Sequence, residues 1–237
     1  MWNHREDAPS RQHNHIVAVD DFEIDVHPVT NIRYSSFLNA SGWRPPATRQ
    51  NWLKHWSWQE LGHELPVVRP GTEQQPVRWV SRTDAEAFCA YEGKRLPHSW
   101  EWQLAAQGFT NRSYPWGEDW DESAVPKRVT ANEMGEPPIV GQHPRGASAS
   151  GVQDLGTDLV GVIWQWSDSF CDTHTCRSIV RGGNWWQPIG SAWYFPAALR
   201  LDEQNTWLEM SESMDRSAGI GFRCASTIVA KPTQLLV

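Results

Sequence analysis

The hexapeptide CDTHTC places Cys171, His174 and Cys176 within six residues and is the densest group of metal donors in the sequence. A structural zinc ion needs a fourth ligand, usually from a second paired motif, and none stands beside it. A hairpin disulfide or two free thiols are the alternatives. The remaining cysteines are Cys89 and Cys224, and an even count of four allows two disulfides in three pairings. His4, His13 and His15 sit in a polar N-terminal arm and read as a solvated tail, not as a metal triad. Further on, GGNWWQPIGSAWYFPAALR, residues 182–200, carries five aromatic side chains and two prolines but no acid, cysteine or histidine. It has the residues that shape a pocket and none of the groups that move protons or attack substrates. Catalytic triads, phosphate-binding loops and dinucleotide fingerprints find no convincing match elsewhere.

These residues must be positioned by 237 residues, enough for one large domain or two small ones with a sizeable core. With 21% charged and 39% hydrophobic residues, the composition is that of an ordinary soluble globular protein. A formal charge of −7 argues against a nucleic-acid partner, which calls for a basic patch. No apolar run approaches the roughly eighteen residues of a membrane span. Residues 1–15 have no apolar centre, so no signal peptide is visible. The expectation is a cytoplasmic protein, or a secreted one if its start lies upstream. Sequons at Asn39 and Asn111 are weak evidence for secretion. Sixteen tryptophans have two readings: an aromatic core that holds a loop-rich fold, or a surface of indoles for stacking a ligand.

The elements read in order. VDDFEIDVHPVT is a strand and a turn, after which Thr30 or Asn31 can cap a helix through NIRYSSFLNA. Residues 41–75 are irregular, with a helical piece at NWLKHWSWQEL, and PVRWV is a short strand. Ser81 with Asp84 forms an acidic variant of the capping box; Ala85, Phe88 and Cys89 make an apolar stripe, and Gly93 stops the helix. A second helix spans Ser99–Gln107 and stops at Gly108. Residues 109–157 are loop, and VIWQWS, SIVRGG and GIGFRCAS are short strands. Helices followed by late antiparallel strands give an α+β class. The domain division is an arm at 1–19, a domain at 20–227 and a tail at 228–237.

Six segments in this order, FEIDVHPVTNIRYSSFL, PVRWVSRTDAEAFCAYEGKRLPHSWEWQLAAQG, YPWGE, DLVGVIWQWSD, VRGGNWW and GIGFRCA, resemble the formylglycine-generating enzymes, also called sulfatase-modifying factors. The resemblance covers roughly residues 20–227. It implies a loop-rich variant of the C-type lectin fold, and a wider family that includes the C-terminal domains of sulfoxide synthases of ergothioneine biosynthesis. It also implies that Cys89 and Cys224 are close in space, at positions that secreted members join by a disulfide.

The sequence departs from the family pattern at three points. Formylglycine synthesis uses two cysteines that bind copper(I), and the resemblance places Ala192 and Ala197 at their positions. A methyl group cannot bind a soft metal, so copper has no visible ligands, and neither has iron. The family's calcium loop reads VGVIWQW here, with Val160, Gly161, Ile163 and Gln165 at the ligand positions. An amide in place of the carboxylate leaves at most a weakened calcium site. The family's usual first strand has no counterpart before residue 20.

The resemblance thus implies a pocket built by the last third of the chain, lined by Trp166, Trp186, Trp193 and Tyr194, with Arg200, Asp215 and Arg216 as polar anchors. A concave aromatic site with a few charges suits a small molecule or a peptide. The charges near SMDRSAGIGFR read equally as a structural ion pair. Two functions stay open: an oxidoreductase of the wider family, with a partner domain supplying the metal, or a binding module or inactive paralogue for a peptide, sugar or small thiol.

Overall fold

A computed structural model describes residues 17–58, 65–110, 112–127, 129–130, 135–148, 161–170, 174, 177–187, 201 and 205–228. The elements are β1 (Phe22–Ile24), α1 (Asn31–Ser41), α2 (Arg82–Tyr91), α3 (Ser99–Gln107), β2 (Val129–Thr130), β3 (Trp164–Phe170), β4 (Arg177–Arg181), β5 (Trp186–Gln187), β6 (Asn205–Leu208), α4 (Glu212–Asp215), β7 (Ile220–Gly221) and β8 (Ala225–Thr227). The architecture is α+β. A four-stranded sheet in the order β6-β4-β3-β7 is flanked by two small pairs, β1 with β8 and β2 with β5.

Local chemistry explains the helix ends. Thr30 accepts a hydrogen bond from the Arg33 N–H at the start of α1, and Gly42, with φ 67°, turns out of its end. At α2 the Ser81 N–H donates to Asp84 at 2.8 Å and the Asp84 N–H donates to Ser81 at 3.2 Å, so the capping box closes in both directions. At α3 the Glu101 carboxylate accepts from the His98 N–H at 2.8 Å and from both Arg95 terminal nitrogens. Burial pushes the Glu101 carboxyl up, but these donors outweigh it and hold it below its ordinary value.

Among the described residues six tryptophans are buried: Trp52, Trp56, Trp102, Trp164, Trp166 and Trp185. Trp52, Trp56, Trp164 and Trp166 share one core with Tyr34, Phe37, Phe88 and Phe222. Tyr34 stacks on Phe88 and meets Phe37 and Phe222 edge-on, geometries worth about 0.5–1.5 kcal/mol each beyond area burial. Trp102, Ala106, Val125 and Leu201 form a second core, against which Ile24 and Trp116 pack. Cys89 of α2 and Cys224 are joined by a disulfide with Cα atoms 5.6 Å apart.

Two expected elements are absent. PVRWV is not a strand: Val77 donates one bond to Val29, then Trp79 turns to φ 56° and sends its N–H to Ser217. Positive φ at a bulky residue breaks any ladder. The described part of NWLKHWSWQEL is a series of turns, because Asn51 and Leu53 both have positive φ. In the other direction, β6 pairs with β4 where no strand was expected. Among the described residues no helix is long and apolar enough to cross a membrane.

Candidate functional site

The site is built where β3 and β4 end. Antiparallel pairing sets Gln165 opposite Arg181 and Trp166 opposite Val180, which puts Trp164 opposite Gly182. Gly182 and Gly183 have φ of 97° and 68°, backbone shapes that favour glycine, and they turn the chain inward. Asn184 and Trp185 are therefore buried. The Gly161 N–H donates to the Gly182 carbonyl at 2.7 Å, and the Val129 N–H donates to the Trp185 carbonyl at 2.8 Å, which fixes the turn from both sides.

Three buried N–H groups near this turn have no acceptor among the described residues: Trp164 Nε1, Asn184 Nδ2 and Trp185 Nε1. An unsatisfied buried donor costs about 1–3 kcal/mol. All three belong to the adjoining ends of the β3–β4 pair, and a ligand that brings acceptor atoms, such as a carboxylate or carbonyl, would satisfy donors of this kind. The Arg78 guanidinium lies 6.0 Å from the Trp185 ring centroid and adds positive charge on the same side. Arg78 and Arg69 share the Glu136 carboxylate. Burial lowers the Arg78 pKa from its ordinary value, and Glu136 offsets part of that.

Behind Arg78 lies His55. Its Nε2 is 2.9 Å from Asn31 Oδ1, which also accepts from Trp56 Nε1 at 3.0 Å. The shared acceptor places the histidine proton on Nε2. Burial, and then the Arg78 and Arg69 cations, hold the pKa of His55 well below its ordinary value, so the ring is neutral.

Arg181 holds the other wall. It is buried and donates to Ser99 Oγ at 3.0 Å, Gln103 Oε1 at 2.9 Å and the Leu201 carbonyl at 3.3 Å. Burial brings its guanidinium down to about 10. Arg181 thereby ties residue 201, beyond the aromatic segment, to α3 and to the sheet.

The residues singled out in the sequence fall into three groups. Ala192, Trp193, Tyr194, Ala197, Arg200 and Val160, like Cys171 and Cys176, lie outside the described residues. Trp186 is half-buried in β5, opposite Val129. Trp166, Asp215 and Arg216 are buried. Trp166 is fully buried in the main core and donates to the Val80 carbonyl at 3.0 Å. Arg216 is held by Asp84, and Asp215 accepts from the Met210 N–H at 3.1 Å, its carboxyl pushed up by burial. The structural ion pair is thus the reading that the geometry favours for these charges.

Of the described calcium-loop positions, Gln165 spends its amide oxygen on protein donors. Gln165 Oε1 accepts from Arg223 Nε at 2.6 Å and from Trp102 Nε1 at 3.0 Å. Gln165 Nε2 lies 3.5 Å from the Ile163 carbonyl, and Ile163 is itself fully buried. Gly161, with φ 83°, packs against Val125. A protein cation, Arg223, already meets the oxygen that a metal would need. Among the described residues no three His, Cys, Asp or Glu side chains gather as a metal set.

Sequence reasoning missed Trp164, Asn184, Trp185 and Arg78 as site residues. Asn184 and Trp185 directly follow the Gly-Gly pair, a signal that a turn there buries its next residues. Arg78 has no local signal, since only the tertiary fold brings it to Trp185.

A family model described as a sulfatase-modifying factor enzyme 1-like domain matches residues 3–228. The chain is similar to the inactive C-alpha-formylglycine-generating enzyme 2 of Bos taurus, with 29% identity over 258 residues covering 92% of this chain and 81% of that protein. It is also similar to the hercynine oxygenase of Mycolicibacterium thermoresistibile, with 32% identity over 179 residues. That match takes in 65% of this chain, which spans 37% of the oxygenase. Among solved structures, PvdO from Pseudomonas aeruginosa superposes with a TM-score of 0.54 at 20% identity, over 87% of this chain and 80% of that one, a likeness of fold.

Proposed function

Because the chain belongs to the sulfatase-modifying factor enzyme 1-like domain family, we propose that it is a binding member of that family. It takes a small molecule or peptide with acceptor atoms at the corner formed by Trp164, Asn184 and Trp185, and it does not make formylglycine through copper held by two cysteines. The observation that carries this reading is that these three buried N–H donors have no acceptors among the described residues. A second support is the sequence itself: the four cysteines are 89, 171, 176 and 224, so none lies in residues 184–200, where the resemblance places the family's copper ligands at Ala192 and Ala197. Calcium at Gln165 has no part in this reading, since Arg223 occupies the amide oxygen.

A second reading is a substrate-holding half of an oxidoreductase, with a partner domain supplying the redox metal. The similarity to a hercynine oxygenase favours it.

Elemental analysis of the purified chain, paired with oxygen uptake in the presence of candidate thiols, tests the two readings. The binding reading expects no stoichiometric copper or iron and no oxygen uptake. It also expects a rise in thermal midpoint with one class of carboxylate- or carbonyl-bearing ligand. Stoichiometric redox metal with thiol-dependent oxygen uptake would overturn it.

A further inference from the structure

A concave surface that includes none of Trp164, Asn184 and Trp185 lies between β1, β8 and the C-terminal end of α3. It encloses about 690 Å³. Its floor and walls are largely apolar, including Ile24, Leu104, Ala105 and Ile228. Phe109, just past the end of α3, lines it and is 98% exposed. A large side chain held in water at the rim of an apolar groove marks an interaction surface more than a folding need.

Among the described residues the backbone at this groove has an open edge. The Asp25 N–H donates to the Cys224 carbonyl and the Ile228 N–H to the Asp21 carbonyl. Those bonds point the odd-numbered residues of β1 at β8. In an antiparallel ladder the alternate residues face the other way, so Phe22 and Ile24 turn their N–H and C=O groups outward. Among the described residues β8 is the one strand paired with β1.

Charge decides what can pair there. Asp25 is neutralised by Lys94 and Arg33. Asp20, Asp21 and Glu23 line the same groove, and among the described residues none of them meets a lysine or arginine. An acidic edge repels another copy of the same acidic edge, a usual device against self-pairing. It attracts a strand that carries lysine or arginine.

We propose that the β1 edge is a docking site for an extended basic peptide of a partner protein, which adds a strand beside Phe22–Ile24. Its alternate apolar side chains enter the groove at Leu104, Phe109 and Ile228, and its lysines or arginines meet Asp20, Asp21 and Glu23. Main-chain hydrogen bonds supply affinity and the groove supplies selectivity, as in other strand additions. The site is independent of the Trp164–Asn184–Trp185 corner.

The test uses the full chain and a fluorescent peptide of alternating lysine and valine, followed by anisotropy. Two controls accompany it: the same peptide with glutamate for lysine, and one N-methylated at alternate amides. We expect saturable one-to-one binding of the lysine peptide alone. Phe109→Ser, and separately the triple variant Asp20→Asn/Asp21→Asn/Glu23→Gln, should each weaken it about tenfold or more. Phe109 is almost wholly exposed, so its variant leaves the fold intact. Absence of saturable binding, equal binding of the glutamate peptide, or indifference to N-methylation would overturn the proposal. So would concentration-dependent dimerisation that excludes the peptide, which would assign the edge to a second copy.

Discussion

Arg216 and Asp84 meet with both side chains wholly shut off from solvent, Nε at 2.8 Å from one carboxylate oxygen and Nη2 at 3.1 Å from the other. The third guanidinium nitrogen donates to the Thr48 and Gln50 carbonyls. One arginine thus joins the first turn of α2, the turns around residue 50 and the end of α4. Removing one partner of a buried pair leaves an uncompensated charge, which costs roughly 3–5 kcal/mol. Arg216→Met should lower unfolding stability by about that much in urea titration. The double variant Arg216→Met/Asp84→Asn should be more stable than Arg216→Met alone. If it is not, the cost lies in the lost carbonyl bonds and not in the stranded carboxylate.

The Cys89–Cys224 bridge spans 135 positions of chain. Removing such a link from a small domain costs roughly 2–5 kcal/mol, mostly by freeing the unfolded chain. Cys89→Ala/Cys224→Ala should lose that amount. Dithiothreitol should bring the parent protein to the variant's urea midpoint while leaving the variant where it is.

His55 supplies a pH signature. It is held neutral in the fold, by burial first and then by Arg78 and Arg69, while in the unfolded chain it takes up a proton below about 6.5. The unfolded state then binds the extra proton, so stability falls as pH drops below that value and keeps falling until the folded-state pKa is reached. The slope approaches about 1.4 kcal/mol per pH unit. His55→Gln should flatten the dependence between about pH 7 and pH 5. An unchanged slope in the variant would move the effect to other groups.

Asn184 separates binding from folding. Its buried Nδ2 lacks an acceptor, so Asn184→Leu, of similar shape, removes a penalty of about 1–3 kcal/mol in the ligand-free protein. Thermal unfolding should show equal or higher stability for Asn184→Leu, together with loss of the ligand-induced rise in midpoint. A marked drop in stability would make Asn184 a structural residue.

Local signals carried the helices. Ser81 with Asp84, Gly93, and Gly108 mark ends that depend on neighbours within a few residues, and these ends stand where expected. The disulfide partners were identifiable through the family resemblance. Residues whose role is set across the fold were not legible. Arg216 lies 132 positions from Asp84, and nothing near it in sequence distinguishes a core cation from a ligand anchor. Trp166 belongs to a strand buried on both faces from Trp164 to Ser167, so alternation could not tell a pocket wall from a core wall. Trp79 broke an expected strand because a distant carbonyl, that of Ser217, captured its N–H. At Gln165 the family resemblance suggested a weakened calcium ligand, while in the fold its amide oxygen accepts from Arg223 and Trp102.

The pairing of β1 with β8 has an architectural consequence. Residues 22 and 227, near the two ends of the described chain, lie side by side. A unit whose ends meet at one edge can be spliced into a longer polypeptide, or joined head to tail and reopened elsewhere, with little strain on its interior. The same unit can therefore stand in proteins of very different length, as the match to little more than a third of a hercynine oxygenase illustrates. A circular permutant that links the two ends through a short flexible loop and opens at the exposed turn around Gly71 should fold to the same core.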